Sequence, residues 1–120
     1  MRVIVGVDGT DRGLLTLEEG VALARDMDWE LAIVVYSTDD TPLSEVETTV
    51  RDRLEALSFE ATVERLPDGP GSRIVELAET ENYDRIILPG GRQSPLGKIQ
   101  IDNTVQFVLL NARTSVTLIR

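Results

Sequence analysis

A chain of 120 residues with 42% hydrophobic content can bury one core, and it has no room for a second independent domain. It contains no cysteine and no histidine, which excludes disulfides, thiolate nucleophiles and sulfur-type zinc sites and removes the commonest general base and transition-metal ligand. The formal net charge is -9 and Lys98 is the only lysine, so the surface repels phosphate backbones and anionic lipid, which argues against nucleic acid and membrane as partners.

Arg2-Val3-Ile4-Val5-Gly6-Val7 is a nearly continuous β-branched run, the pattern of a strand covered on both faces. Asp8-Gly9-Thr10-Asp11 is turn and N-cap chemistry. Leu14, Leu17, Val21 and Ala24 then recur at helical spacing and predict a first helix from about Asp11 to about Met27. Leu31-Ala32-Ile33-Val34-Val35 reads as a second buried strand, closed by a polar loop and Pro42. Leu43, Val46, Val50, Leu54 and Leu57 mark one face of a second helix.

From Phe59 to Leu66 the chain alternates, with Ala61 and Val63 on one side and Thr62 and Glu64 on the other, as in a less buried edge strand. Pro67-Asp68-Gly69-Pro70-Gly71 ends it, and Ser72 is expected to cap a third helix that buries Ile74, Leu77 and Ala78. Arg85-Ile86-Ile87-Leu88 is a short fourth strand, and Pro89-Gly90-Gly91 opens the longest irregular stretch, which ends near Ile101. Val105, Val108, Leu109 and Ala112 form a helical stripe, and Ser115 to Ile119 supply a last strand.

This βαβαβαβαβ order predicts an α/β fold: an open parallel five-stranded sheet with right-handed crossovers and helices on both faces. In such sheets the ligand crevice lies beyond the carboxyl ends of the strands, at the switch in strand order. If the first and fourth strands are neighbours there, Asp8-Gly9 and Gly90-Gly91 meet at that crevice. No apolar run approaches a bilayer span and no basic-then-apolar leader is present, so the expectation is a soluble, cytoplasmic protein. The lysine-poor, acid-rich balance fits either a halophilic protein of a high-salt cytoplasm or an ordinary acidic one.

Four stretches together resemble the universal stress protein family over essentially the whole chain: Val5 to Thr10, Glu30 to Tyr36, Asp84 to Leu88, and Ser94-Pro95-Leu96 through Ala112. The resemblance implies a Rossmann-like sheet in order 3-2-1-4-5, homodimers through the last strand and, in one branch of the family, ATP at the crevice. In that branch a phosphate loop runs Gly, two residues, Gly, nine residues, then Gly followed by Ser or Thr. Asp8 matches the family Asp that holds the nucleoside, and Tyr36 falls at the adenine-side position. The phosphate loop matches badly: with Ser94-Pro95-Leu96 as anchor, Pro89 and Arg92 occupy the first two Gly positions, while Asp102 and Asn103 replace the final Gly-Ser.

A carboxylate at the last position opposes phosphate. At about 5 Å and an effective dielectric near 20, two like unit charges repel by about 3 kcal/mol. A helix N-terminus attracts an anion by only about 0.3 to 1 kcal/mol, or roughly 2 where partly buried. In addition, Asn103 as N-cap with Gln106 three residues later is a capping-box pattern that would occupy the free amides. ATP or AMP binding is therefore expected to be weak.

The cofactor-binding candidates are Asp8, Gly9, Tyr36, Gly90, Gly91, Lys98 and Asn103; no catalytic or metal-binding residue is assigned. Most of them also have a plain structural role. Asp8 either holds a ribose hydroxyl or caps the first helix, and Tyr36 either stacks on a base or packs against a helix. Gly90 and Gly91 allow close approach to a ligand or simply turn the chain. Lys98 and Arg92 meet a phosphate or remain solvated. Asp39-Asp40 reads as a solvated turn rather than a cation site, and Trp29 as packing. The leading function is a stress-response binding or regulatory module that dimerises and holds ATP poorly; the alternative is an ATP-binding member with weak or slow hydrolysis. A phosphoacceptor receiver lacks its lysine after the fifth strand, and nucleotidyl-transfer enzymes lack their His-rich or Ser-Gly-Gly loops.

Overall fold

A computed structural model describes residues 1–37, 41–93, 96 and 99–120. The first half of the chain forms β1 (Arg2–Val7), α1 (Asp11–Met27), β2 (Glu30–Val35), α2 (Leu43–Ala56) and β3 (Thr62–Arg65). The second half forms α3 (Pro70–Thr80), β4 (Arg85–Pro89), β5 (Arg92–Gln93), β6 (Ile99–Gln100), α4 (Asn103–Asn111) and β7 (Ser115–Ile119). The main sheet has five strands in the order β3-β2-β1-β4-β7, all paired in parallel. With β7 counted as the fifth strand, this is the expected 3-2-1-4-5. The additional strands β5 and β6 pair antiparallel, Arg92 with Gln100 and Gln93 with Ile99. They lie in the stretch read as irregular, since two-residue strands are too short to show any periodicity.

β1 is central, and its alternate side chains go to opposite layers. Val3, Val5 and Val7 join Leu17, Val21 and Val50 of α1 and α2 in one cluster. Ile4 joins Ile74, Leu77, Val105 and Val108 of α3 and α4 in the other. Burial on both faces explains why β1 is apolar without alternation. β3, by contrast, is an edge strand whose residues are exposed or half-buried, and an Arg65–Glu47 ion pair ties it to α2.

Two details depart from the sequence reading. Gly69, with φ 51, is the N-cap of α3, and Pro70 takes its first position, so Ser72 lies inside the helix and does not cap it. Proline suits that position because its missing N–H would have had no intrahelical partner. The stripe on α4 is also narrower than its spacing predicts: Val105 and Val108 are buried, but Leu109 is 43% exposed.

A candidate nucleotide crevice at the ends of β1 and β4

β1 pairs with β2 on one side and with β4 on the other, so the order reverses between β1 and β4. This is the switch point at which open α/β sheets bind ligands. Asp8-Gly9 leaves the end of β1, and Gly90-Gly91 leaves the end of β4.

Asp8 is 5% exposed, and its Oδ1 accepts from the Thr10 amide at 3.1 Å and from the Thr10 hydroxyl at 2.5 Å. Thr10, not Asp8, caps α1, its Oγ1 accepting from the Gly13 amide at 3.1 Å. Asp8 thus orients the residue that caps the helix. Gly13 lets α1 start this close to β1: a Cβ there would meet Asp8 Oδ1 and lie 2.5 Å from the Asp8 carbonyl oxygen. The relay from Asp8 through Thr10 to Gly13 was open to sequence reasoning, since a hydroxyl three residues before a glycine at a helix start is cap chemistry. The need for glycine was not.

Gly9 brings the chain against Thr41, whose Cβ would lie 2.9 Å from a Cβ at that position. Beside them is a cavity of about 130 Å³ that Asp8, Gly9, Thr41, Glu45 and Thr49 help to line. Typical ligand pockets hold roughly 300 to 1,000 Å³, so this one has room for a fragment of a ligand and not the whole.

Tyr36 is the residue after β2, and its amide donates to the Val7 carbonyl at 3.1 Å. Continuing the Val7–Val35 register sets Asp8 beside Tyr36 at the strand ends; Tyr36 belongs to the cluster on the face that carries α3 and α4, while Asp8 meets α1 and the cavity beside α2. The Tyr36 ring is fully buried in that cluster, as the packing reading expects. Its hydroxyl, however, has no hydrogen-bond partner among the described residues. Burial pushes the phenol's pKa well above its usual range, and the charges of Asp102 and Asp8 push it further.

The N-terminus of α4 completes the constellation. Its N-cap is Asp102, whose Oδ1 accepts from the Val105 amide at 2.7 Å, while Asn103 is the first helical residue. The N-cap is therefore Asp102 and not Asn103, and with Val105 at the third helical position the expected capping box of Asn103 and Gln106 does not form. A carboxylate both accepts the amide and complements the positive helix end. Burial raises the pKa of Asp102 despite the hydrogen bond from Val105, and the charge of Asp8 raises it further.

The folded state therefore holds this proton to higher pH than the unfolded chain, and stability falls as pH rises through that window. Below the unfolded value of about 3.9 the penalty is absent. Asp102→Asn keeps a good cap and removes the charge. The variant is expected to be at least as stable as the parent near neutral pH, the difference shrinking toward acid. Urea unfolding across that range checks it, and a gap that widens in acid would reverse the assignment.

The close approach at Gly90 is to the chain itself: its amide donates to the Ile119 carbonyl at 2.6 Å, and a Cβ would lie 2.8 Å from that oxygen. Gly91 turns the chain with φ 79, in the left-handed region that favours glycine. Arg92 begins β5. Lys98, Asp39, Asp40, Ser94 and Pro95 lie outside the described residues. Among the described residues no group of three or more carboxylates could hold a metal ion, and no helix is long and apolar enough to cross a membrane. The arrangement of Asp8, Asp102 and Tyr36 presents acceptors and one hydroxyl, which suits a ligand rich in hydrogen-bond donors.

No curated protein sequence matches the chain, but solved structures do. It superposes on a universal stress protein from Archaeoglobus fulgidus with TM-score 0.80 at 21% identity, covering 100% of this chain and 98% of that one. For UspA from Lactobacillus plantarum the values are 0.78 and 20%, covering 100% and 97%. For a universal stress protein from Archaeoglobus fulgidus in complex with dAMP they are 0.73 and 19%, covering 100% and 98%. These likenesses carry the fold. The sequence profile of the universal stress protein family matches residues 1–120, and on that match the chain belongs to the universal stress protein family.

Proposed function

We propose that this chain is a stress-response binding module of the cytoplasm whose crevice takes an adenine nucleoside moiety at Asp8 and Gly9 and holds ATP poorly. The observation that carries the reading is the bond from the Val105 amide to Asp102 at 2.7 Å, which places a carboxylate where a phosphate would meet the helix N-terminus. The structural neighbour with bound dAMP supports the choice of ligand family. Asn103, Gly90 and Gly91 are assigned to the phosphate end of the crevice, and Lys98, the only lysine of the sequence, is a candidate phosphate contact. Calorimetric titration with ATP and magnesium tests the reading. Weak binding that Asp8→Ala abolishes is expected; binding at low micromolar concentration would overturn it.

The module is further proposed to work as a homodimer through β7. This strand lies at the sheet edge, where unpaired backbone groups invite a second copy. Phe107 and Leu110, one turn apart on the helix that leads into it, are 41% and 77% exposed, an apolar patch of the kind that marks an interaction surface. Light scattering at high micromolar concentration is expected to give twice the chain mass, and a monomer counts against the assembly. The net charge of -9 also implies a fold adapted to salt, since counterions shorten the range of self-repulsion. Its melting temperature should rise from low to molar potassium chloride; a flat or falling trend removes the halophilic reading.

A further inference from the structure

Resting on the reading of β7 as an open interface edge, we infer that this edge also takes an acidic, extended segment of another protein, and that the segment and the second copy compete for it. Charge is divided unevenly along the chain. Every aspartate and glutamate except Asp102 lies within residues 1–84, whereas residues 85–120 hold four arginines and the one lysine. Strand order turns this division into a spatial one, because β4 and β7 form one side of the sheet and β3 the other. Residues 103–120, which build α4 and β7, contain no aspartate or glutamate. Arg113 and Arg120 flank the two ends of β7, and both are exposed. Neither forms an ion pair among the described residues, whereas Arg2, Arg51, Arg53, Arg65 and Arg73 all do. Arg85 adds a third cation behind the middle of the strand, its Nη1 donating to Thr117 Oγ1 at 2.7 Å.

No described strand pairs with the outer edge of β7, and an extended segment can satisfy its backbone groups by adding a sixth strand. Charge then chooses between the two occupants. A two-fold pair of β7 strands is antiparallel, so the start of one strand meets the end of the other, and Arg113 of one copy approaches Arg120 of the other. Like charges placed opposite each other weaken a strand pair. Carboxylates flanking an apolar strand meet the same two arginines favourably. The net charge of -9 does not forbid their approach. Four strand spacings of about 4.8 Å, roughly 19 Å in all, separate β7 from β3, and the Debye length at physiological ionic strength is only about 8 Å. A polynucleotide suits the face less, since Phe107, Leu109 and Leu110 make the adjoining surface apolar and a long anion would run on to the acidic remainder.

Titration of the whole protein with a fluorescein-labelled peptide of five alternating valines and threonines, flanked by two glutamates at each end, tests the inference by anisotropy. A lysine-flanked twin is the comparison. The acidic peptide is expected to bind at least fivefold tighter than its twin and to convert dimers to monomers in light scattering. Arg113→Ala with Arg120→Ala is expected to abolish the preference while tightening the homodimer about threefold, opposite directions that a damaged fold would not give. Equal affinities for the two peptides, or a homodimer that does not tighten in the double variant, overturn the inference. A single-stranded oligonucleotide that binds as tightly as the acidic peptide overturns the choice of a protein segment. If neither peptide binds and the homodimer persists, the inference fails and the dimer reading stands. A monomer at high micromolar concentration that still takes the acidic peptide removes the dimer reading and supports the docked segment.

Discussion

Gly13→Ala is expected to destabilise the protein by about 3 kcal/mol, at the upper end of overpacking effects, and to lower its melting temperature by about 10 °C for a chain of this size. The direction is opposite to that expected of a helix taken alone, where alanine is favoured over glycine by about 1 kcal/mol. The difference lies in what the added methyl meets. Its neighbours are Asp8 Oδ1 and, at 2.5 Å, the Asp8 carbonyl oxygen. Neither can step aside, because the carboxylate is held by both Thr10 donors and the backbone continues directly from β1. Displacing Asp8 also deforms the crevice, so ligand affinity should fall together with stability. Gly20→Ala is the control in the same helix, since its Cβ would lie 3.1 Å from the end of a side chain, Val5 Cγ2, which can adjust. Calorimetric melts of both variants decide: a Gly13→Ala melt equal to the parent's removes the close-approach argument.

The double change Asp102→Gly and Asn103→Ser is expected to tighten ATP binding tenfold or more, the equivalent of roughly 1.4 kcal/mol or above. Removing Asp102 does two things at once. It frees the Val105 amide for an anion and eliminates a carboxylate close enough to Asp8 and Tyr36 to shift their shared electrostatics. The fold should survive, because glycine in place of an aspartate cap costs only about 0.3 kcal/mol. In that background Asp8→Ala should weaken ATP again, since the nucleoside end is then lost. The parent protein should gain AMP affinity on mild acidification, because its Asp102 carboxyl takes up a proton more readily than an ordinary one. Equal ATP affinities for the parent and the double variant would show that Asp102 does not close the site.

Local chemistry was enough for much of this molecule. The bounds of α1 follow from cap residues and a stripe that lie within one segment, and the reading of about Asp11 to Met27 matches the helix observed. The alternation of strands and helices led to the parallel sheet, because crossovers have one hand, while the strand order that sets the switch point came from the family resemblance. Other features depended on groups far apart in sequence. Asp102 and Asn103 are adjacent and both able to cap, and the choice between them appears only in how the chain enters α4. A tyrosine after a strand reads equally as a base platform or as core. Its ring proved to be core and its hydroxyl unsatisfied, because Gly6 leaves the space over β1 that Tyr36 and Leu88 fill. Gly13 is the place where α1 touches the end of β1, which no pattern along the chain shows. Periodicity and capping report the neighbours of a residue along the chain; the charge, burial and clearance at the crevice are set by three strands and two helices meeting at one end of the sheet, and only the folded chain brings those together.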